Sequence, residues 1–302
     1  MARAVAMHVN KHIDGLDRTC DHKCVFCLER IEPDCGAVVV PSCEKIRDAL
    51  ATLAKSNCNV NKIYIAGGEP TLRNDIYDIV RLAKMHFPEV CLNTHGDFSD
   101  SATRVSALVE AGLTEVCLSL HGDVASIHEW HTRTKGSYSR TLTTMMDFLE
   151  SGIPVRVNYV VTSQNIDRLG RMVAKISRMR RRPCVLCFMH YLNHGAAFYE
   201  PILGFNVDRH GKDVSEAIAT AQDSRVVVHF RDFPFCVDNR IRSLNETVDL
   251  VSVLVWRDAD LVALVPERPP VVWKSKCIEC DDRPLCPGYL KANYGEDKFV
   301  DV

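Results

Sequence analysis

Between residues 4 and 189 the chain alternates short apolar strands with amphipathic helical stretches, and this alternation limits its possible folds more than any other feature. Residues 4–9, 62–66, 89–94, 115–120, 154–161 and 184–189 read as strands, β-branched or apolar and bounded by turn residues. Helical stripes fall at 43–55, 101–111, 138–151 and 164–179, with another that starts at an Asn74 cap and turns Ile76, Ile79, Val80, Ala83 and Phe87 inward. Gly112 and Gly152 end two of them. Such repeats need right-handed crossovers and a parallel sheet covered on both faces. Six units suit an incomplete ring better than a closed eight-stranded one. The expected fold is α/β, a partial (β/α)6 TIM-like barrel over 1–200. In 201–302 the pattern breaks into a connection, a short helix from Asp213, a strand at 225–230, a hairpin within 248–265 and a break at 266–270.

Parallel barrels and open parallel sheets collect chemistry at the carboxyl ends of their strands. Four chemically pointed stretches fall at such ends: Cys20-Asp-His-Lys-Cys24-Val-Phe-Cys27, Gly67-Gly68-Glu69-Pro70, Thr94-His95-Gly96 and His121-Gly122. Three cysteines spaced C-x3-C-x2-C can converge from one loop on one metal centre, because thiolates are soft ligands suited to iron–sulfur clusters, zinc or copper. Zinc completed by His22 is the plain alternative, but zinc sites usually pair two separated knuckles and His22 lies inside the loop.

Of the chain's 14 cysteines, one further group has short spacing, Cys277-x2-Cys280-x5-Cys286. A long chain without a secretory signal at 1–10 is expected to be cytoplasmic and reducing, where grouped cysteines mean metal or catalysis rather than disulfides. No apolar run approaches membrane-spanning length. A net charge of -2 supplies no basic field for nucleic acid. The run Arg178-Met-Arg180-Arg181-Arg182 ends a helix, where cations complement the dipole and stay solvated.

The cysteine loop, with an aromatic before its last cysteine, resembles the cluster loop of the radical S-adenosylmethionine enzymes. Gly67-Gly68-Glu69-Pro70 matches their GGEP motif, and Leu118-Ser-Leu-His121-Gly122, Gly136-Ser137-Tyr138 and Val155-Arg156-Val157-Asn158 resemble family segments in the same order. The resemblance implies that Cys20, Cys24 and Cys27 hold a 4Fe-4S cluster whose open iron chelates S-adenosylmethionine, and that reductive cleavage yields a 5'-deoxyadenosyl radical that removes a hydrogen from substrate. It implies that Gly67, Gly68, Glu69, Pro70, Thr94, His95, Ser137 and Arg156 surround S-adenosylmethionine. Glu69 would accept from its ammonium group, and Ser137 and Arg156 would hold its ribose or carboxylate. His95 stands where relatives carry Asn. For Ser137 a helix cap, and for Arg156 a buried ion pair, are the structural alternatives.

The C-terminal segment resembles the SPASM and twitch subgroup, whose extension holds auxiliary iron–sulfur clusters. Cys277, Cys280 and Cys286 match its pattern, Cys236 after Phe233-Pro-Phe is the natural fourth ligand, and Leu290 stands where a full module has a further cysteine. One auxiliary 4Fe-4S cluster is therefore expected in a small C-terminal domain, with a zinc knuckle as the alternative.

The implied function is hydrogen abstraction from a small sugar or nucleoside-like substrate, ending in dehydrogenation or epimerisation, as in natural-product biosynthesis. A reducing partner such as flavodoxin or ferredoxin is implied; nucleic acid and membrane are not. A ribosomal peptide maturase is the second reading, weakened because only 19 residues precede Cys20. A non-catalytic iron–sulfur or zinc protein is the third. Cys117 and Cys187, on strands, are candidate hydrogen donors, with Cys184 beside them. His190 and His194 are candidate substrate contacts.

Overall fold

The computed structural model describes residues 3–10, 20–28, 40–55, 60–192, 197, 200–245, 250–257, 260–264 and 271–290. Strands β1 (Arg3–Asn10), β2 (Val60–Gly67), β3 (Glu89–Thr94), β4 (Glu115–Ser119), β5 (Val155–Val161), β6 (Val185–His190) and β7 (Val228–Arg231) lie side by side in chain order, each parallel to the next. They form a curled half-barrel. Helices α1 (Cys43–Lys55), α2 (Ile76–His86), α3 (Ser101–Glu110), α4 (Ala125–Thr132), α5 (Ser137–Ser151), α6 (Leu169–Ser177) and α7 (Gly211–Ser224) fall in the crossovers. Beyond β1, β8 (Leu250–Arg257) adds a parallel strand, and β9 (Asp260–Leu264) returns antiparallel as the expected hairpin. A short antiparallel pair, β10 (Val271–Val272) and β11 (Tyr289–Leu290), brackets the last cysteines.

The two faces of the strands differ in chemistry. Ile63, Ile65, Val90, Leu92, Val116, Leu118, Val157, Tyr159, Leu186 and Phe188 are each 1% exposed or less and form the hydrophobic core with Ile79, Val80, Leu108, Phe148, Met172 and Ile218 of the helices. Burying each such aliphatic or aromatic side chain stabilises the fold by about 1.5–3 kcal/mol. The residues that alternate with them include Lys62, Tyr64, Cys91, Asn93, Glu115, Cys117, Ser119, Arg156, Asn158, Val160, Cys187, Met189, His229 and Arg231. A parallel sheet buried on both faces reads as an almost continuous apolar run. A strand period of two with a polar inner set therefore marks a half-barrel whose concave face serves a site.

The partial barrel matches expectation, and β7 carries the parallel series one strand past the six units read from periodicity. Helix α4 was not anticipated, because Ala125-Ser-Ile-His-Glu-Trp-His-Thr is short and rich in weak helix formers. The stretch read as one helix at 164–179 is a 3-10 turn, Ile166–Arg168, followed by α6. The arginines at 178, 180, 181 and 182 follow α6 and are exposed. No helix among the described residues is long and apolar enough to cross a membrane.

Candidate active site

A cavity of about 350 Å³ opens at the carboxyl ends of the strands. Cys20, Cys24 and Cys27, Gly67, Gly68 and Glu69, Thr94 and His95, and His121 all line it. Four stretches separated by up to about a hundred residues in sequence thus share one wall, as strand-end chemistry requires.

The cysteine loop is held in place by its backbone. Lys23 and Val25 donate their amides to the carbonyls of Thr132 (3.1 Å) and His131 (2.9 Å) at the end of α4, and Cys27 donates to Cys24 (3.2 Å) to close the turn. The buried Val25 side chain and an edge-on contact of Phe26 with His121, centroids 4.6 Å apart, complete the anchor. His22, the residue that would complete a zinc site, is buried. Its ring stacks on His95 at 3.9 Å, and its Nε2 lies 2.9 Å from Asp97 Oδ2. Arg140 of α5 grips both carboxylate oxygens of Asp97, Nη2 at 2.9 Å from Oδ2 and Nε against Oδ1. Burial opposes the charge on Asp97, but the Arg140 and His22 bonds outweigh it and hold the carboxyl at about 2.

Glu69 is buried and held at both oxygens. Oε1 accepts from Thr71 N (3.1 Å), Thr71 Oγ1 (2.6 Å) and Thr94 Oγ1 (2.7 Å), while Oε2 accepts from the His95 amide (2.9 Å). Hydrogen bonds at both oxygens fix the plane of the carboxylate, which lines the cavity. In the neutral ring His95 Nδ1 accepts from the Asp97 amide (2.9 Å) and Nε2 carries the proton, 2.7 Å from Asp21. Burial disfavours its charge, yet the Glu69 and Asp21 carboxylates and Cys20 raise its pKa well above the usual value. One ligand atom each of Cys20, Asp21 and His95 lie within 4.8 Å of one another.

The far wall of the cavity is Asn158, Val160, Met189, His190, Tyr191, Leu192 and Asp232. Sequence reasoning singled out only His190 among these. His190 is buried, with Nδ1 donating to the Tyr191 carbonyl (2.8 Å), and burial lowers its pKa to about 4. Asp232 adopts φ 62° immediately after β7. The periodicity of β5 and β6 could have flagged Asn158 and Met189, since alternate residues share the lumen face. His194 lies outside the described residues.

Other expected site residues sit away from this wall. Pro70 opens a 3-10 turn, Pro70–Leu72, whose first two residues are buried beside Glu69. Ser137 is buried at the start of α5, 3.0 Å from Thr132 Oγ1 and donating to the Thr134 carbonyl (2.8 Å), so it braces Thr132, which does line the cavity. Arg156 lies one inward position below Asn158, with Nε 3.5 Å from Glu115 Oε1. Cys117 and Cys187 lie one inward position below Ser119 and Met189, at 4% and 0% exposure. Burial pushes the Cys187 thiol up to about 11, and Cys117 Sγ is 3.4 Å from Cys91 Sγ. Cys184 donates to the Val155 carbonyl at the opposite end of the strands (3.2 Å).

A second cavity, of about 120 Å³, is lined by Cys236, Cys277, Cys280 and Cys286 together, with Trp273 and Tyr289. Consecutive turns built on Cys277 N→Lys274 O (2.8 Å), Cys280 N→Cys277 O (3.4 Å) and Cys286 N→Asp282 O (2.8 Å) fold the trio, and the 3-10 turn Phe235–Val237 presents Cys236.

The Radical SAM superfamily matches residues 17–176. The chain is 28% identical over 275 residues to a probable GTP 3',8-cyclase of Methanocella arvoryzae, covering 83% of this chain and 86% of that one. It is 31% identical over 161 residues to a PqqA peptide cyclase of Rhodopseudomonas palustris, covering 52% of this chain and 41% of the relative. Among solved structures, SuiB of Streptococcus suis bound to precursor peptide SuiA superposes with a TM-score of 0.57 at 18% identity, over 75% of this chain and 48% of SuiB. The enzyme anSMEcpe with bound AdoMet and a peptide gives 0.57 at 15%, over 76% and 64%. The chain thus spans most of the first relative but half or less of the peptide cyclase and of SuiB.

Proposed function

The chain belongs to the Radical SAM superfamily, and from that premise we propose that it dehydrogenates a small hydroxylated substrate, a sugar or nucleoside-like compound, with an auxiliary 4Fe-4S centre as electron acceptor. The carrying observation is the cavity shared by Cys236, Cys277, Cys280 and Cys286. Four thiolates fully cap such a cluster, and oxidation needs an electron sink that epimerisation does not.

The donor sets fit their groups. Three soft ligands on the loop leave one iron open, as chelation of S-adenosylmethionine requires, and Cys20, Cys24 and Cys27 face the cavity beside Glu69. When bound, the first cluster with S-adenosylmethionine supplies a radical that takes one hydrogen atom from substrate, and the second supplies the sink for the remaining electron. Glu69, fixed by Thr71, Thr94 and His95, presents its carboxylate to the ammonium end of the cofactor. Asn158 on the opposite wall donates to or accepts from substrate hydroxyls. The hydroxyl proton released on oxidation passes to the Asp232 carboxylate, the one acid besides Glu69 on the described wall.

No Lys or Arg is among the described lining residues, which favours an uncharged or cationic reacting end over a polyphosphate. A peptide substrate is the second reading, favoured by the sequence match to a PqqA peptide cyclase and the fold likeness to SuiB. Either substrate needs a one-electron donor, for which flavodoxin or ferredoxin is suited.

The test is anaerobic incubation with S-adenosylmethionine, reductant and C-deuterated polyols, nucleosides and model peptides. Deuterium in 5'-deoxyadenosine together with a product two hydrogens lighter supports dehydrogenation of that substrate class. An isomerised product carrying solvent hydrogen, lost on Cys236→Ala, would make the reaction an epimerisation and Cys236 the hydrogen donor. Transfer from peptides alone would overturn the small-molecule reading.

A further inference from the structure

Tyr289 lines the second cavity and hydrogen-bonds one of its cysteines. It is 1% exposed, and its hydroxyl lies 2.8 Å from Cys236 Sγ and 3.2 Å from Asp208 Oδ1. The register pair Val272 with Tyr289, in the β10–β11 ladder, fixes its backbone, and the Lys274 ammonium sits 4.3 Å over its ring. A phenol has one proton to donate. Asp208 has its charge paired with Lys274 Nζ through Oδ2 and offers the phenol its Oδ1, whereas a metal-bound cysteine sulfur is an acceptor only and has no proton of its own to offer. The shorter contact and the greater need both direct the Tyr289 proton to the sulfur of Cys236.

We infer that Tyr289 is a positioning residue for the auxiliary centre: by donating to the Cys236 sulfur it raises that centre's reduction potential and so equips it to take the electron left on an oxidised substrate. The inference rests on the reading of Cys236, Cys277, Cys280 and Cys286 as the ligands of one 4Fe-4S cluster. Hydrogen bonds to cluster sulfurs stabilise the extra negative charge of the reduced state more than the oxidised state, and they are among the levers that set iron–sulfur potentials. The electron balance is one from the substrate radical to the centre, with the substrate proton leaving separately. Burial makes the effect large, because water cannot replace the lost donor and the local dielectric is low.

The experiment uses the full chain carrying Cys20→Ala, Cys24→Ala and Cys27→Ala, so that only the second centre reports. After anaerobic reconstitution this protein should hold about four irons per chain. A reconstituted protein that holds zinc or no iron at this site sinks the cluster reading itself. With the cluster present, an electron paramagnetic resonance redox titration is compared with and without Tyr289→Phe. At the potential where the Tyr289 protein is half reduced, the ratio of reduced to oxidised centre in the variant should be about tenfold lower, a shift of about 59 mV to more negative potential for one electron. Equal potentials with equal iron content overturn the inference. Should Tyr289→Phe fail to hold the cluster, the Tyr289 protein exchanged into deuterated water decides. A deuteron coupling to the reduced centre beyond those of the Phe235 and Gly288 amides that bond Cys286 supports donation to sulfur, and none beyond them refutes it.

Discussion

Arg140 on α5 and His22 in the cysteine loop meet on one carboxylate, Asp97, which lies 2.9 Å from each through Oδ2. The three groups tie the loop to the strand end that also carries His95 and to the helix that follows Gly136. Asp97→Ala removes the shared acceptor and leaves a buried imidazole and a guanidinium without it. The expected cost is about 1–3 kcal/mol of stability, the usual penalty for orphaning a buried polar partner. The cysteine loop should lose its preferred position at the same time. Denaturant midpoints measure the first effect, and iron content after reconstitution measures the second. Normal loading of the first cluster in Asp97→Ala would show that the loop is held by the Lys23 and Val25 amides alone.

The barrel was legible because strand and helix periods differ, and residues such as Ile63, Ile65, Val90 and Leu92 carry the outer period of two unambiguously. The cysteine loop and Gly67-Gly68-Glu69 were legible because their composition has few other uses. Asp97, Arg140 and Asp232 were not, since a single polar residue at a strand end or on a helix has no local signature. Their roles come from register and crossover geometry that only the folded chain supplies. Helix α4, with its buried His128 and His131, escaped for the opposite reason. Its sequence has poor intrinsic helix propensity, and tertiary burial decides its conformation.

Arg156, expected to hold the ribose or carboxylate of the cofactor or else to serve as a buried ion-pair partner, has its Nε 3.5 Å from Glu115 Oε1. Glu115 keeps Lys62 as a second partner, so Arg156→Ala does not leave a bare carboxylate. The variant should lose only about 0.5–1.5 kcal/mol of folding stability from the broken part-buried pair. Its S-adenosylmethionine affinity should change by less than tenfold, under about 1.4 kcal/mol. Urea unfolding and equilibrium dialysis separate the two. A large loss of affinity at normal stability would return Arg156 to the cofactor site.

Stability should fall on acidification below neutral pH. Burial lowers the pKa of His190 and His131 to about 4 and of His128 to about 3, each below the ordinary value near 6.5. Above that value both folded and unfolded states hold neutral imidazole, so their contribution is complete. As pH falls toward 4 the unfolded chain takes up protons first, and stability is lost. His190 alone, shifted from 6.5 to about 4, accounts for roughly 3 kcal/mol of that loss at 1.36 kcal/mol per pH unit. Urea midpoints at pH 7.5 and 4.5, taken for wild type and His190→Gln, isolate the residue. The fall between the two pH values should be clearly smaller in the variant, and an equal fall would remove His190 as a cause.

Gly96 and Gly152 both adopt left-handed backbone, φ 67° and 86°, but their surroundings differ. A Cβ on Gly152 meets nothing within 4 Å, whereas one on Gly96 would lie 2.4 Å from Leu118 Cδ2. Gly152→Ala should therefore cost only the left-handed penalty, about 1–2 kcal/mol. Gly96→Ala adds overpacking against a fully buried leucine, typically about 1–3 kcal/mol more. The extra strain relaxes through the neighbours, and these are His95, which donates its amide to Glu69, and Asp97, which holds His22 and Arg140. Gly96→Ala should accordingly lower both the denaturant midpoint and S-adenosylmethionine affinity, while Gly152→Ala lowers the midpoint alone. Equal cofactor affinity in the two variants would mean that the Thr94–Asp97 turn adapts without moving Glu69, and that the turn does not set the geometry of the site.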